Sequence, residues 1–417
     1  MTDARNDGGR SASPSSYYAG EQRVVRGISE LFTPHRRLTD AALVVDHGTI
    51  AWVGTAAELP SKYAAWPTDD LRGRGVIPGL VDAHTHLVWA GSRVDEYVRR
   101  SHGASYEEIL AAGGGIHATV RATRSVSEHG LLVSARRRAG RFLRGGVTSL
   151  EIKSGYGLTT EDELRMLRVA RRLGEDGPQR VTTTLLAHVP DPEMERDAHV
   201  ERFVSETLPE AARLGLADAV DVFCDRGAFT LDESRRILEA ALEHGMQIKA
   251  HAEQLHHTGA ARLVAELGGL SADHLERSRA DDWQALAAAG TVATLLPMPA
   301  LLLGAPLPRA AALREAGVKV AIASDHNPGS SPLYGLLTAL QLAIATAGFG
   351  VEEALVAGTA NAADALGQPT WGRLEAGAEA DYLVVDGPEA LLPLYAWGDP
   401  ALAEMVIAGR VVWRRDA

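Results

Sequence analysis

The sequence has a single cysteine and no long run of apolar residues. Because Cys224 is the one cysteine among 417 residues, the chain cannot form an internal disulfide bond. No stretch is apolar over the roughly 20 residues that a membrane helix needs. The N-terminal segment MTDARNDGGRSASPSSYYAG is too polar for a signal peptide. We therefore expect a cytoplasmic protein without a membrane partner, in which Cys224 packs as a small buried side chain.

The chain also lacks an excess of positive charge. It has 42 Lys and Arg against 54 Asp and Glu, which gives a formal net charge of -12. This balance argues against a surface that binds nucleic acid or anionic membranes. A chain of this length is too long for one small core, so we expect a large barrel with an accessory domain or two to three ordinary domains.

The two ends of the sequence resemble each other and differ from the middle. Short alternating stretches separated by glycine occur near the start, as in AALVVDHG and IAWVG, and near the end, as in ADYLVVDG and EMVIAGRVVWR. Such stretches are typical of antiparallel strands. We predict a disordered tail over residues 1–20 and a small β-sandwich domain built from residues 21–76 and 373–417.

The middle of the chain alternates short apolar runs with longer helical patterns. The runs number eight: GLVDAHTHLV, VTSLEIKSG, RVTTTLLAHV, AVDVFCDRG, GMQIKAHAEQ, LSADHLERS, TVATLLPM and VKVAIASDHNPG. Eight strand-then-helix units predict an α/β fold, a TIM-like (β/α)8 barrel over residues 77–372, because right-handed crossovers place the helices outside; the side chains considered next decide whether it is a metallohydrolase barrel. An open parallel sheet is the alternative.

Chemically active side chains stand near the ends of most of these runs: His84, His86, Lys153, His188, Asp225, His251, His274 and Asp325. The C-terminal ends of barrel strands meet at one face, where active sites assemble. In the first run, Asp82, His84 and His86 alternate and therefore share a face of the strand. Burying them together is costly unless a cation pairs with them.

Three imidazoles and one carboxylate, from His84, His86, His251 and Asp325, suit a single divalent ion, zinc or iron. Hydrogen-bonded core residues are the alternative interpretation. A divalent ion makes hydroxide available near neutral pH, which predicts hydrolysis. In this scheme Asp325 takes a proton from water and His274 contacts the water or the leaving atom. A modified lysine bridging two ions would stand at the end of the fourth strand, where the chain reads FCDRG, so we expect one ion.

Other residues suit a small carboxylate substrate. Arg93 can grip a carboxylate with its planar guanidinium, although a loop arginine is often only solvated. The segment HNPGSSP offers Asn327, backbone donors around Gly329 and the hydroxyl of Ser330. Tyr156 in KSGYG follows the second run and lies over the barrel mouth or packs at its rim.

The motifs PGLVDAHTHLVWAGSR, AAGGGIHATV, EIKSGYGL, LLAHVP, IKAHAEQL, SADHLE and ASDHNPGSSP together resemble the imidazolonepropionase family of the amidohydrolase superfamily. The resemblance implies hydrolysis of the C–N bond of 4-imidazolone-5-propanoate to N-formimino-L-glutamate in histidine degradation, with one zinc or iron ion per subunit of a homodimer. It implies the metal ligands His84, His86, His251 and Asp325, and catalytic roles for Asp325, His274, His188 and Gln254. Substrate contacts would come from Arg93, Tyr106, Tyr156, His188, Gln254, Asn327, Gly329 and Ser330. We expect His188 to stabilise the oxyanion.

Three positions depart from the pattern of relatives. Related deaminases have a glutamate where this chain has Gln254, and an amide has no useful proton to transfer, which favours ring opening over amine release. In the segment 297–308 relatives usually show a glycine and aromatic residues, whereas this chain reads PMPALLLGAPLP, and His326 alternates off the ligand face. A deaminase, another cyclic amidohydrolase and a non-catalytic scaffold on the same fold stay as alternatives.

Overall fold

The computed structural model describes residues 21–103, 108 and 113–415. The predicted disordered tail, residues 1–20, and the predicted substrate contact Tyr106 therefore lie outside the described residues. No helix in the described ranges is both long enough and apolar enough to cross a bilayer. Cys224 is buried, as expected.

Eight parallel strands form the predicted barrel, in sequential order from β5 to β12. They are Leu80–Asp82 (β5), Val147–Lys153 (β6), Arg180–Ala187 (β7), Ala219–Phe223 (β8), Gln247–Ala252 (β9), Ser271–His274 (β10), Val292–Leu295 (β11) and Val320–Ile322 (β12). Bonds just beyond β5 and β12 close the ring. The Asp325 amide donates to the His84 carbonyl at 3.0 Å, and the His86 amide donates to the His326 carbonyl at 2.9 Å. Closure therefore brings the two chemically richest strand ends together.

Helices follow the strands. The described helices are Val94–Ser101 (α1), Ile116–Ser125 (α2), Glu128–Arg144 (α3), Thr160–Asp176 (α4), Arg196–Arg202 (α5), Leu208–Arg213 (α6), Leu231–Glu243 (α7), Ala260–Glu266 (α8), Ala280–Ala289 (α9), Pro297–Leu303 (α10), Ala310–Ala316 (α11), Leu336–Ala347 (α12), Val351–Ala357 (α13), Ala360–Asp364 (α14) and Leu392–Tyr395 (α15). Hydroxyl side chains begin several of them. Ser127, Thr159 and Thr230 each accept a hydrogen bond from a backbone amide in the first turn of α3, α4 and α7.

The unusual segment 297–308 contains helix α10. Pro297 suits its first position, because proline has no amide proton to leave unsatisfied there. Gly304 ends the helix in the left-handed conformation. Helix α10 packs against α12.

Both ends of the chain form a second sheet of seven strands, in the order β15-β14-β13-β4-β1-β2-β3. The strands are Arg23–Phe32 (β1), Arg37–Asp46 (β2), Thr49–Thr55 (β3), Thr68–Pro78 (β4), Tyr382–Val385 (β13), Leu402–Ile407 (β14) and Arg410–Arg414 (β15). One pair differs from the antiparallel expectation, since β1 and β4 run parallel. The connection through residues 56–67 carries the chain back to the start of β1, which makes this parallel pairing possible.

Candidate metal centre

The four predicted ligands come together at one end of the barrel. His84 and His86 follow β5, His251 lies in β9 and Asp325 follows β12, and all four are almost fully buried. The Nε2 atoms of His84 and His86 lie 3.4 and 3.3 Å from the same Asp325 oxygen, Oδ1. The imidazole of His251 packs against that of His84 with a centroid distance of 4.5 Å.

These donor atoms fit a divalent ion. His84 Nε2 is buried and has no hydrogen-bond partner within the described ranges, which is costly unless something else binds it. Two atoms that are each about 2.1 Å from a tetrahedral zinc ion are about 3.4 Å apart. The separations between the imidazole nitrogens and Asp325 match that value. The arrangement therefore has the spacing as well as the chemistry of a metal site.

Asp325 is held as a carboxylate. Burial alone would raise its pKa, but the imidazoles of His84 and His86, which face it at 3.3–3.4 Å, keep the pKa of Asp325 well below its usual range. Its backbone has a φ of 51°, in the left-handed region that residues other than glycine seldom adopt. Such strain is typical of functional positions, where the surrounding structure fixes the geometry.

His274, which the sequence predicts to contact the water or the leaving atom, lies directly beside the metal ligands. Its imidazole is 5.2 Å from that of His251, and one nitrogen each of His84, His251 and His274 lie within 4.8 Å of one another. Burial lowers the pKa of His274, but Glu276, whose Oε1 is 3.4 Å from His274 Nδ1, outweighs it, so the pKa is raised. The raised pKa favours the protonated form of His274.

Carboxylates orient two of the histidines from behind. Asp273 Oδ2 lies 2.7 Å from His84 Nδ1, and Asp221 Oδ2 lies 3.0 Å from His251 Nδ1. The hydrogen bond to Asp273 fixes the tautomer of His84 and leaves Nε2 free for a metal, whereas Asp221 lies at ion-pair distance from His251 Nδ1. This role went unpredicted, although a charged residue inside an apolar run, as in AVDVF and SADH, was the available signal.

Two buried lysines balance these carboxylates. The Lys153 amino group donates to Asp221 at 2.6 Å and to Glu151 at 3.0 Å. Lys249 donates to Glu151 at 2.8 Å and lies 3.6 Å from Asp273. Lys153 is therefore bound within an ion network inside the barrel. Its pKa is raised, because attraction to Asp221 and Glu151 outweighs the effect of burial.

The structure brings Arg93 against the loop that begins at Asn327. A Cβ atom added to Gly329 would lie 2.8 Å from a terminal nitrogen of Arg93. The other edge of the guanidinium pairs with Glu96, with Nε at 2.7 Å from Oε2. Glu96 also accepts a hydrogen bond from the Gly115 amide at 3.0 Å, which ties Arg93 to the GGGIH motif.

Asn327 folds its own loop. Its Oδ1 accepts hydrogen bonds from the amides of Gly329 and Ser330, both at 2.8 Å. The sequence predicts these two amides as anion donors, but Asn327 already occupies them. Arg93 and the Ser330 hydroxyl, which accepts from the Asn327 side-chain amide at 3.2 Å, are polar groups of this region that could reach a carboxylate. Arg100 donates to the Gly329 carbonyl at 3.1 Å.

His188 and Tyr156 lie beside the metal ligands. The His188 ring is 5.6 Å from that of His86 and 5.4 Å from that of Tyr156. Burial and the neighbouring His86 lower the pKa of His188 to about 3, so the ring is neutral. Its Nδ1 lies 3.1 Å from the Gly155 carbonyl oxygen. This contact disagrees with the expected oxyanion role, because it uses the one N–H of a neutral imidazole.

The remaining candidates are placed as follows. Gln254 is half-buried and lies two residues after β9, the fifth strand of the barrel. The neighbouring Glu253 carboxylate accepts hydrogen bonds from the amides of Thr258 and Gly259 at 2.6 and 3.0 Å. His326 donates from Nδ1 to the Leu333 carbonyl at 2.8 Å and lies outside both groups of candidate ligands.

Comparison with protein families identifies matches over most of the chain. The model of the amidohydrolase family matches residues 76–412, and that of the imidazolonepropionase-like composite domain of bacteria matches residues 41–65. The chain is 47% identical over 385 residues to an imidazolonepropionase of Cupriavidus pinatubonensis, covering 91% of this chain and 90% of that protein. It is 45% identical to that of Deinococcus radiodurans, covering 93% and 99%.

Solved structures share the fold at lower identity. A 5-methylcytosine deaminase from Klebsiella pneumoniae superposes with a TM-score of 0.73 at 18% identity, covering 94% of this chain and 98% of that one. An adenosine deaminase from Xanthomonas campestris with bound zinc has a TM-score of 0.69 at 19% identity, covering 93% and 92%. These likenesses concern the fold alone.

Proposed function

The chain belongs to the imidazolonepropionase family of amidohydrolases, which makes it a hydrolase of histidine degradation, and we propose how its residues perform the reaction. The substrate is 4-imidazolone-5-propanoate and the product is N-formimino-L-glutamate. One divalent ion, zinc or iron, is held by His84, His86, His251 and Asp325. The observation that carries this assignment is the convergence of two imidazole Nε2 atoms on one Asp325 oxygen at 3.3–3.4 Å.

When bound, the ion supplies Lewis acidity that lowers the pKa of water toward neutrality. Water attacks the ring carbonyl carbon, and the bond from that carbon to the ring nitrogen breaks. Asp325 takes the proton that the attacking water gives up, and its low pKa keeps it ionised beforehand. His274, whose pKa is raised, gives a proton to the departing nitrogen. The carbon gains a hydroxyl group and the nitrogen gains a proton, which together are one water.

Arg93 holds the propionate, and the loop from Asn327 to Ser330 contributes its Ser330 hydroxyl, because Asn327 already binds the amides of Gly329 and Ser330. The terminal nitrogen of Arg93 that faces Gly329 is on the edge away from Glu96, so it can bind a carboxylate oxygen. The Ser330 hydroxyl adds a second donor. Tyr156 and Gln254 contact the ring, and we keep Tyr106 as a predicted contact outside the described residues.

The test is ring opening by the purified protein, followed as loss of substrate absorbance, with ammonia measured in the same sample. We expect ring opening without ammonia. Ammonia release would favour a heterocycle deaminase, and a protein that binds no metal and turns nothing over would favour a scaffold. We also propose that the enzyme is a homodimer, which sedimentation of the purified protein tests. We propose that it works in the cytoplasm.

A further inference from the structure

The loop that follows β6, residues 154–158, is folded around one buried carboxylate. Glu163 of helix α4 accepts hydrogen bonds from the backbone amides of Gly155, Gly157 and Leu158, each at 2.7 Å. The Glu163 side chain is almost fully buried. Three charge-assisted hydrogen bonds to one carboxylate fix the backbone conformation of the loop.

The loop sequence suits this fold in detail. Gly157 approaches helix α4 so closely that an added Cβ would lie 2.5 Å from the Glu163 backbone nitrogen. Gly155 has a φ of 105°, which favours glycine. Leu158 has a φ of 60°, an uncommon value for a leucine. Strained backbone of this kind persists only where surrounding bonds hold it, and Glu163 supplies them.

The loop directs the Gly155 carbonyl oxygen at His188. The distance from His188 Nδ1 to that oxygen is 3.1 Å. A carbonyl oxygen can only accept a hydrogen bond, so Nδ1 must carry the proton. In a neutral imidazole the other nitrogen, Nε2, then has a lone pair and no hydrogen. His188 Nε2 can therefore accept a hydrogen bond but cannot donate one.

We propose that Glu163 is a positioning residue which, through the Gly155 carbonyl, holds His188 in the Nδ1–H tautomer, so that His188 Nε2 accepts a hydrogen bond from the substrate ring. This inference rests on the proposed function. An imidazolone ring carries one N–H donor and one carbonyl acceptor, and only the N–H complements a lone pair on Nε2. His188 then recognises the lactam ring itself, while Arg93 recognises the carboxylate.

A carboxylate is required at position 163, because its oxygens must accept from three amides. In Glu163→Gln, the side-chain amide group would face at least one backbone N–H, donor against donor. Glu163→Asp keeps two acceptor oxygens on a shorter side chain. Glu163→Gln therefore tests the loss of an acceptor oxygen, and Glu163→Asp tests a small decrease in side-chain length.

The first measurement reads the tautomer directly. Nitrogen-15 NMR of the zinc-loaded protein, with His188 assigned by comparison with His188→Asn, should show a protonated Nδ1 and an unprotonated Nε2. In Glu163→Gln, His188 should populate both the Nδ1–H and the Nε2–H tautomer. A protonated Nε2 in the unaltered protein would overturn the proposal. Because this measurement needs no turnover, it is independent of whether the proposed function is correct.

The second measurement is a double-mutant cycle on kinetics. Glu163→Gln should raise KM about tenfold and change kcat less than about threefold, as expected for one lost hydrogen bond to bound substrate. Added to His188→Asn, it should cause no further change, because its effect acts through His188. Glu163→Asp should restore most of the loss, and if Glu163→Gln does not fold, the nitrogen-15 measurement on the unaltered protein still tests the proposal. Independent, additive effects would contradict the proposal.

Helix α7 provides the matched control. Glu233 accepts a hydrogen bond from the Thr230 amide at 2.7 Å at the start of that helix and also pairs with Arg196, so it is a second carboxylate that caps a backbone donor. Glu233→Gln should lower the free energy of unfolding and leave KM unchanged. A similar rise in KM in Glu233→Gln would show that general destabilisation, and not His188, explains the kinetics.

Discussion

Asp273 Oδ2 lies 2.7 Å from Nδ1 of His84, and the opposite nitrogen of that ring, Nε2, lies 3.4 Å from Asp325. Both residues of the first pair are fully buried. Attraction to Lys249 and the bond to His84 outweigh burial and hold the pKa of Asp273 far below its usual range. An ionised Asp273 requires a proton on His84 Nδ1, so Nε2 offers its lone pair to the metal.

The substitution Asp273→Asn removes the charge that fixes this tautomer. We expect metal affinity to fall about 10- to 100-fold, as is usual when the partner of a metal-binding histidine is lost. Competition with a coloured chelator measures it. Asp282→Asn is the control, because it also removes a buried carboxylate, at the start of α9. Equal metal affinity in both variants would refute the role of Asp273.

Arg93→Ala should impair substrate binding and spare the metal. Loss of a charge-assisted bond to the propionate should raise KM roughly 10- to 100-fold, with metal content unchanged. Arg99→Ala removes an exposed arginine of helix α1, which begins directly after Arg93, and should change neither quantity. Parallel loss of metal and of substrate affinity in Arg93→Ala would contradict this division of roles.

Gly329→Ala tests the contact between Arg93 and the Asn327 loop. The added methyl group would lie 2.8 Å from a terminal nitrogen of Arg93 and must displace it, so KM should rise. Gly335→Ala is the matched control, because an added Cβ there meets nothing within 4 Å. Steady-state kinetics on the two variants should differ in KM, whereas their melting temperatures should be similar. An unchanged KM in Gly329→Ala would show that Arg93 does not hold the substrate from this position.

A histidine outside the site should make stability depend on pH. Burial and the charge of Arg202 lower the pKa of His199 from 6.5 to about 4. Between those values the unfolded chain binds more protons than the folded one, so the free energy of unfolding should fall as the pH drops through this window. Urea titrations across the window should show a weaker pH dependence in His199→Asn, whereas replacing the exposed His129 should leave it unchanged. Equal slopes in both variants would refute the role of His199.

The sequence predicts most of the barrel because its signals are local. Each strand is a short apolar run, and a reactive side chain at its C-terminal end marks the face where His84, His251 and Asp325 meet. The order of the strands then follows from right-handed crossovers. The parallel pairing of β1 with β4 was missed, because it depends on how a connection crosses the sheet and not on the pattern of either strand.

The residues that orient the site are harder to predict from the sequence. Asp221, Asp273 and Glu163 act through contacts with residues on other strands or loops, and nothing in their own neighbourhood names the partner. The tautomer of His188 likewise depends on a carbonyl 33 positions away. The Asn327 loop shows the opposite error, because a motif that suggests anion binding uses its amides to fold itself.

The central claim is that one divalent ion, held by His84, His86, His251 and Asp325, is needed to open the imidazolone ring. The most direct test strips the protein with a chelator and titrates zinc or ferrous ion back while turnover of 4-imidazolone-5-propanoate is followed. We predict no turnover without metal and full recovery at one equivalent per chain. Full turnover by the metal-free protein, or recovery that requires two equivalents, would contradict the account.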